Sequence, residues 1–256
     1  MGAGREPLEF SVVIPIYDND PLEKSRRAYV TFTLIALNVV IFLVQDSASD
    51  KTSTLLLVNF ALFPVAVTGD AVTGGFMPPS FTLVTYMFLH GGWMHLIFNM
   101  LFLWVFGDNI EDALGRGRFL VFYLLCGIAG GAAHVVASPG SNVPLVGASG
   151  AIAGIVAAYL MLRPCARITV LIFGLVPIKL ASYWVLGFWV LTQVWHVFSL
   201  EKSDTAWWAH VGGLAAGALL ITVLRPAGVV LFECLRPEDV IVAAETPSPG
   251  PWGVPR

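Results

Sequence analysis

Gly147-Ala148-Ser149-Gly150-Ala151-Ile152-Ala153-Gly154 is a loop that runs straight into an apolar segment, Ser149 to Leu162, built from small and aliphatic residues. Uncharged stretches of this kind recur through the whole chain. At 57% hydrophobic and 12% charged residues, with mean hydropathy +0.78, the composition is that of a membrane protein; soluble proteins carry about 25% charged residues. N-terminal to the quoted stretch lie Tyr29 to Val44, a run from near Phe88 through Trp93 to Phe106, and Phe119 to Ala137, the last interrupted by Gly127, Gly130 and Gly131. On its C-terminal side, Ile168 to Phe198 is too long for one crossing. Gly174, Pro177 and Lys179 divide it into an interfacial or re-entrant piece, Ile168 to Val176, and a span near Ile178 to Val197. Trp207 to Leu224 completes the set.

A ~30 Å hydrocarbon core takes about 20 apolar residues as a helix. The chain therefore reads as all-α: a polytopic membrane protein with one bundle of six transmembrane helices over residues 28–225. A cytoplasmic N-terminal segment, 1–27, precedes it, and a flexible Pro-rich cytoplasmic tail, 226–256, follows. Tyr29 to Val44 is read as a retained first span, because its leader is long and its apolar run exceeds a signal-peptide core. Residues 46–92 hold apolar pieces too short to cross. They predict short helices in a long, partly membrane-embedded loop between spans one and two.

Charge orients this arrangement. With the N-terminus inside, all of the 14 Lys and Arg residues except Lys51 and Lys202 fall on the inner face, as the positive-inside rule requires. The net charge of −3 names no partner and argues against nucleic acid. Of the three cysteines, Cys126 lies within a span, while Cys165 and Cys234 fall on the cytoplasmic side, so no disulfide is expected.

In this topology spans two, four and six all run inward. Ser149 opens span four, His210 lies about a turn into span six, His95 lies near the start of span two, and Asn99 one turn deeper. At ~1.5 Å per residue these groups share a depth within roughly 10 Å of the outer surface. Polar side chains at that depth are functional candidates, although Ser, Asn and His also hydrogen-bond between membrane helices as simple glue. Small residues tip the balance. Gly150 and Gly154 stand four apart on span four, as do Gly213 and Gly217 on span six, and this spacing lets two backbones approach closely. Close packing there brings the Ser149 hydroxyl towards the His210 imidazole, and a serine beside a base is the requirement for nucleophilic catalysis. A metal site built from His90, His95 and His210 is disfavoured: His90 and His95 are five apart, about 140° around a helix, with no acidic residue between them. His134 and His196 read as structural.

His90-x4-His95-x3-Asn99, Gly147-Ala148-Ser149-Gly150 and Ala209-His210-x2-Gly213-x3-Gly217 together resemble the signature of the rhomboid intramembrane serine proteases. Phe88 to His95, Glu111-x3-Gly115 with Arg118-Phe119, and Ile14-Pro15 with Asp18 are similar as well. The resemblance implies a prokaryotic-type enzyme of the cell membrane, without cofactor or metal, acting on transmembrane protein substrates in the bilayer from a site near the outer face. It implies Ser149 as nucleophile and His210 as general base, with Asn99, His95 and the Ser149 N–H holding the oxyanion. Gly147, Gly150, Gly213, Gly217 and His90 would support the site, and Trp189 and Gln193 would lie on the substrate gate helix. One position departs: family members often carry an aromatic residue four after the serine, where this chain has Ala153. A catalytically silent adaptor or quality-control relative is the alternative, but such proteins typically lose the serine or the histidine. A transporter would need a polar route through inner-leaflet halves that are mostly apolar here.

Overall fold

A computed structural model describes residues 13–19, 27–69, 74–199 and 206–234. Residues 1–12, 20–26, 70–73, 200–205 and 235–256, and with them most of the N-terminal segment, Lys202 and the Pro-rich tail end, lie outside the described residues.

Helices dominate. The chain runs through β1 (Val13–Asp18), α1 (Tyr29–Asp46), α2 (Asp50–Phe60), α3 (Pro64–Val67), α4 (Thr82–Thr85), α5 (Trp93–Leu114), α6 (Arg116–Ala137) and α7 (Ser149–Leu162). It continues through β2 (Arg167–Ile172), β3 (Val176–Ala181), α8 (Ser182–Phe198) and α9 (Trp207–Leu224). By length and composition α1, α6 and α9 can each cross a membrane. The segment Pro79–Phe88 with α5, bent by 81° between them, makes a fourth candidate. α7 and α8 are apolar but shorter, at 14 and 17 residues.

The centre of the bundle is α7. Every residue from Gly150 to Tyr159 is buried, against α5, α6, α8 and α9. This close fit rests on absent side chains. A Cβ at Gly213 would land on the Gly150 carbonyl, and one at Gly217 on the Gly154 carbonyl, so α7 and α9 touch backbone to backbone. α6 joins the same seam: a Cβ at Gly130 would come within 2.6 Å of the Ala209 carbonyl.

The all-α expectation is corrected by a small antiparallel sheet of order β1-β2-β3. Ile168 to Val176, expected as an interfacial or re-entrant piece, instead supplies β2 and the start of β3, and the helix after it begins at Ser182. The local cause is legible afterwards. Ile168-Thr169-Val170 is β-branched, with Ile168 and Val170 fully buried at period two. Phe173 and Gly174 both have positive φ (51° and 69°), as a tight hairpin turn needs. β1 lies antiparallel on β2, pairing Ile14 with Leu171. At its end the Asp18 carboxylate accepts hydrogen bonds from Asn109 of α5 and Tyr159 of α7, which fastens the sheet to the bundle. Glu111 does similar work at α1: its carboxylate accepts from the Val30 and Thr31 N–H groups and the Thr31 hydroxyl, capping that helix.

A second correction concerns the cysteines. Cys165 and Cys234 are disulfide-bonded, with Cα atoms 5.1 Å apart. The pairing was hidden because residues 226–234, expected to be loose, fold back along the end of α7. The Phe232 and Glu233 N–H groups donate to the Met161 and Leu162 carbonyls, and Glu233 pairs with Arg163. Beneath this strap lies a cavity of about 90 Å³, lined by Asn109, Asp112, Leu162, Arg163, Val229 and Glu233, at the opposite end of α7 from Ser149.

The loop between α1 and α5 forms the short helices that its apolar pieces predict. It is pinned to the segment before α7 by the reciprocal bridge Leu62–Leu145, and by the Gly147 N–H donating to the Tyr86 carbonyl at 2.9 Å.

Candidate active site

Ser149 is the first residue of α7 and does not cap it; the N-cap position is Ala148. Its hydroxyl therefore stays available, half-buried, at the mouth of the bundle. His210, buried at 7% exposure, lies just under one turn from the start of α9. The α7–α9 seam brings the two together, with His210 Nε2 2.9 Å from Ser149 Oγ. The residues that make this possible are Gly150 and Gly213, because any side chain at position 213 would push α9 away from the serine.

Gly147 sits two residues before Ser149 at φ 116°, a backbone conformation that glycine adopts without strain. A Cβ there would stand 2.6 Å from the His95 ring and 3.6 Å from Asn99 Nδ2, so α5 presses both side chains against the loop before the serine. His95 Nδ1 accepts the Gly91 N–H at 3.3 Å. Its proton therefore resides on Nε2 in the neutral ring, on the edge turned to Gly147. Asn99 is buried, and its Nδ2 has no hydrogen-bond partner among the described residues. An unpaired buried donor is costly, and this one faces the start of α7. The first N–H groups of that helix also lack intrahelical acceptors. Asn99 Nδ2 and the His95 Nε2 edge thus stand against Gly147, two residues before Ser149, where the α7 N-terminus begins.

His90 stands back from this cluster. Fully buried, it packs its ring at 5.2 Å from that of His95. Gln45, at the end of α1, clamps its backbone reciprocally, donating to the His90 carbonyl at 2.7 Å and accepting its N–H at 3.2 Å.

Two features of the surround are not readable from the motif. First, the space left by Ala153 is taken by tryptophan. Trp189 of α8 packs on the Ala153–Ala157–Leu214 cluster and lies 6.2 Å from the His210 ring. Trp207 meets that ring edge-on at 5.8 Å and is itself stacked on His196 at 4.3 Å. The signal was present: Trp207 and His210 are three apart on one helix face. Secondly, Gln193 does not lie on the outer surface of α8; it is 1% exposed, and its Oε1 is 2.7 Å from His210 Nδ1. Among the described residues no group of three or more His, Cys, Asp or Glu could hold a metal ion.

Set against known proteins, the chain is matched by a family model described as Rhomboid domain over residues 79–227, more than half of its length. It is 38% identical over 130 residues to Rhomboid protease GluP of Bacillus subtilis (strain 168), covering 51% of this chain and 24% of that protein. It is 41% identical over 80 residues to Putative rhomboid protease YdcA of the same organism, covering 31% and 40%. To Rhomboid protease AarA of Providencia stuartii it is 31% identical over 146 residues, covering 50% and 49%. The chain thus spans about a quarter to a half of the length of these curated relatives.

Proposed function

The chain belongs to the rhomboid family of membrane-embedded proteins, and on that premise we propose that it is an intramembrane serine endopeptidase working through Ser149 and His210. The observation that carries this reading is the 2.9 Å contact between Ser149 Oγ and His210 Nε2. The relatives named as rhomboid proteases support it.

In this reading Ser149 Oγ attacks the scissile carbonyl carbon while His210 Nε2 takes the hydroxyl proton. Negative charge develops on the carbonyl oxygen and is met by Asn99 Nδ2, His95 Nε2–H and the Ser149 N–H. The imidazolium then passes its proton to the departing amine as the C–N bond breaks, leaving an acyl ester on Ser149. Water, activated by the same imidazole, hydrolyses that ester and restores the hydroxyl. Gly147, Gly150, Gly213 and Gly217 set the spacing, and Trp189 on α8 borders the substrate route.

The substrates are transmembrane segments of other proteins. The domain is a six-span bundle over residues 28–225 in which α7 and α8 complete the set. Both termini are cytoplasmic, and the site opens to the outer face of a prokaryotic plasma membrane. The charge segregation of Lys and Arg supports that orientation. α7 can be short because it is wrapped by other helices rather than by lipid.

Cleavage of a single-span substrate in proteoliposomes by wild type, Ser149→Ala and His210→Ala tests the mechanism. Only the wild type should cut, and only it and His210→Ala should retain the nucleophile. Equal cleavage by all three would sink the dyad, and cleavage by none, wild type included, would favour a silent adaptor.

A further inference from the structure

The His210 ring has two nitrogens, and what holds the second decides what the first can do. Nε2 faces Ser149 at 2.9 Å and Nδ1 faces Gln193 Oε1 at 2.7 Å. The identity of the amide atom is settled by α8 itself. Gln193 Nε2 donates to the Trp189 carbonyl and to Thr192 Oγ1, both at 3.1 Å. The Thr192 hydroxyl spends its own proton on the Trp189 carbonyl at 2.7 Å. A flipped amide would set oxygen against the Trp189 carbonyl, acceptor on acceptor. The oxygen must therefore face the imidazole, and an amide oxygen only accepts.

From this geometry we infer that Gln193 is the positioning residue of the Ser149–His210 pair. By accepting the Nδ1 proton it fixes the tautomer in which Nε2 carries a lone pair for the serine proton. The inference rests on the proposed dyad. One polarised chain results, in which Ser149 O–H donates to His210 Nε2 and His210 Nδ1–H donates to Gln193 Oε1. The amide then donates to Thr192 and to the backbone of its own helix. Trp189 and Trp207 border the ring, so Gln193 sets its rotation between those walls.

A buried acid in this place would hold the same tautomer and also stabilise the imidazolium. At 1% exposure inside an apolar bundle, however, it would bring an uncompensated charge. The neutral amide keeps the orientation and avoids that cost. The titratable groups around His210 among the described residues are His95 on α5 and, behind Trp207, His196 on α8.

The test measures kcat, KM and pH profiles of single-span substrate cleavage in proteoliposomes for wild type, Ser149→Ala, Gln193→Leu and Gln193→Glu. Ser149→Ala reports on the dyad alone. Gln193→Leu should lower kcat by about 10²-fold, the scale of a mispositioned catalytic group, with KM little changed. Gln193→Glu should recover turnover at high pH. Its acid limb should move upwards by about 1–3 pH units, because a carboxylate beside the ring favours the protonated imidazole. A substrate-gate role alone would change KM and leave the limb in place. Wild-type kcat in Gln193→Leu, or an unmoved limb in Gln193→Glu, would overturn the inference. The ¹⁵N spectrum of the His210 ring reads the tautomer without any turnover. Nδ1 protonated in wild type supports the inference, and Nε2 protonated refutes it even if every variant loses activity.

Discussion

α7 and α8 are successive helices in the sequence and both are apolar, yet they are held in opposite ways. α7 is buried on all sides from Gly150 to Tyr159 and meets α9 through bare backbone. α8 buries only Ser182, Leu186 and Gln193, and presents Trp184, Phe188, Leu191 and Trp195 outward. The candidate nucleophile thus sits on the helix with the least freedom, while the group that orients its base sits on the one with a free face. Close backbone contact leaves one way to pack; a helix held along a single stripe leaves more.

Substitutions along these two helices can break that contrast. Ser149→Ala should remove on the order of 10⁶-fold in kcat, as loss of a serine nucleophile does elsewhere, and nothing on α8 can compensate. Next in size is Asn99→Ala, which belongs to the rigid side because it presses on Gly147. Its expected loss is about 10²–10³-fold in kcat, roughly 2.7–4 kcal/mol of transition-state stabilisation, read as turnover at saturating substrate. Gly213→Val drives a side chain into the Gly150 carbonyl and should cost about 1–3 kcal/mol of stability. It would appear as a lower Tm in detergent together with loss of phosphonate labelling at Ser149. An unchanged Tm would show the α7–α9 seam to be looser than its geometry. The smallest effect belongs to the free face: Phe188→Leu, at a site 67% exposed, should leave stability within about 0.5 kcal/mol. A large drop there would mean that α8 is clamped after all.

The same contrast explains what was legible in the sequence. The bounds of α7 and α9, Ser149–Leu162 and Trp207–Leu224, are those read from hydropathy, and the glycine spacing foretold their close approach. Spacing works there because each glycine acts through its own missing side chain. Ile168 to Ala181 was misread because average hydropathy does not distinguish a strand from a membrane-depth helix. Its pairing partner, Val13 to Asp18, lies on the far side of four long helices in the sequence. Cys165 and Cys234 failed for a related reason: compartment and composition argued against a bond that depends on the strap turning back onto α7.

By itself, then, the sequence determined the solvent, the helices, the seam between two of them, and the serine and histidine on either side of it. These follow from composition and from the periodicity of small residues, which each residue carries wherever the chain goes. Only the tertiary structure decided that Gln193 turns inward to His210, that Trp189 and Trp207 wall the ring beside Ala153, and that a sheet and a disulfide close the other end. Those depend on helix rotation and on contacts between residues distant in sequence, which are set when the packed core selects one arrangement.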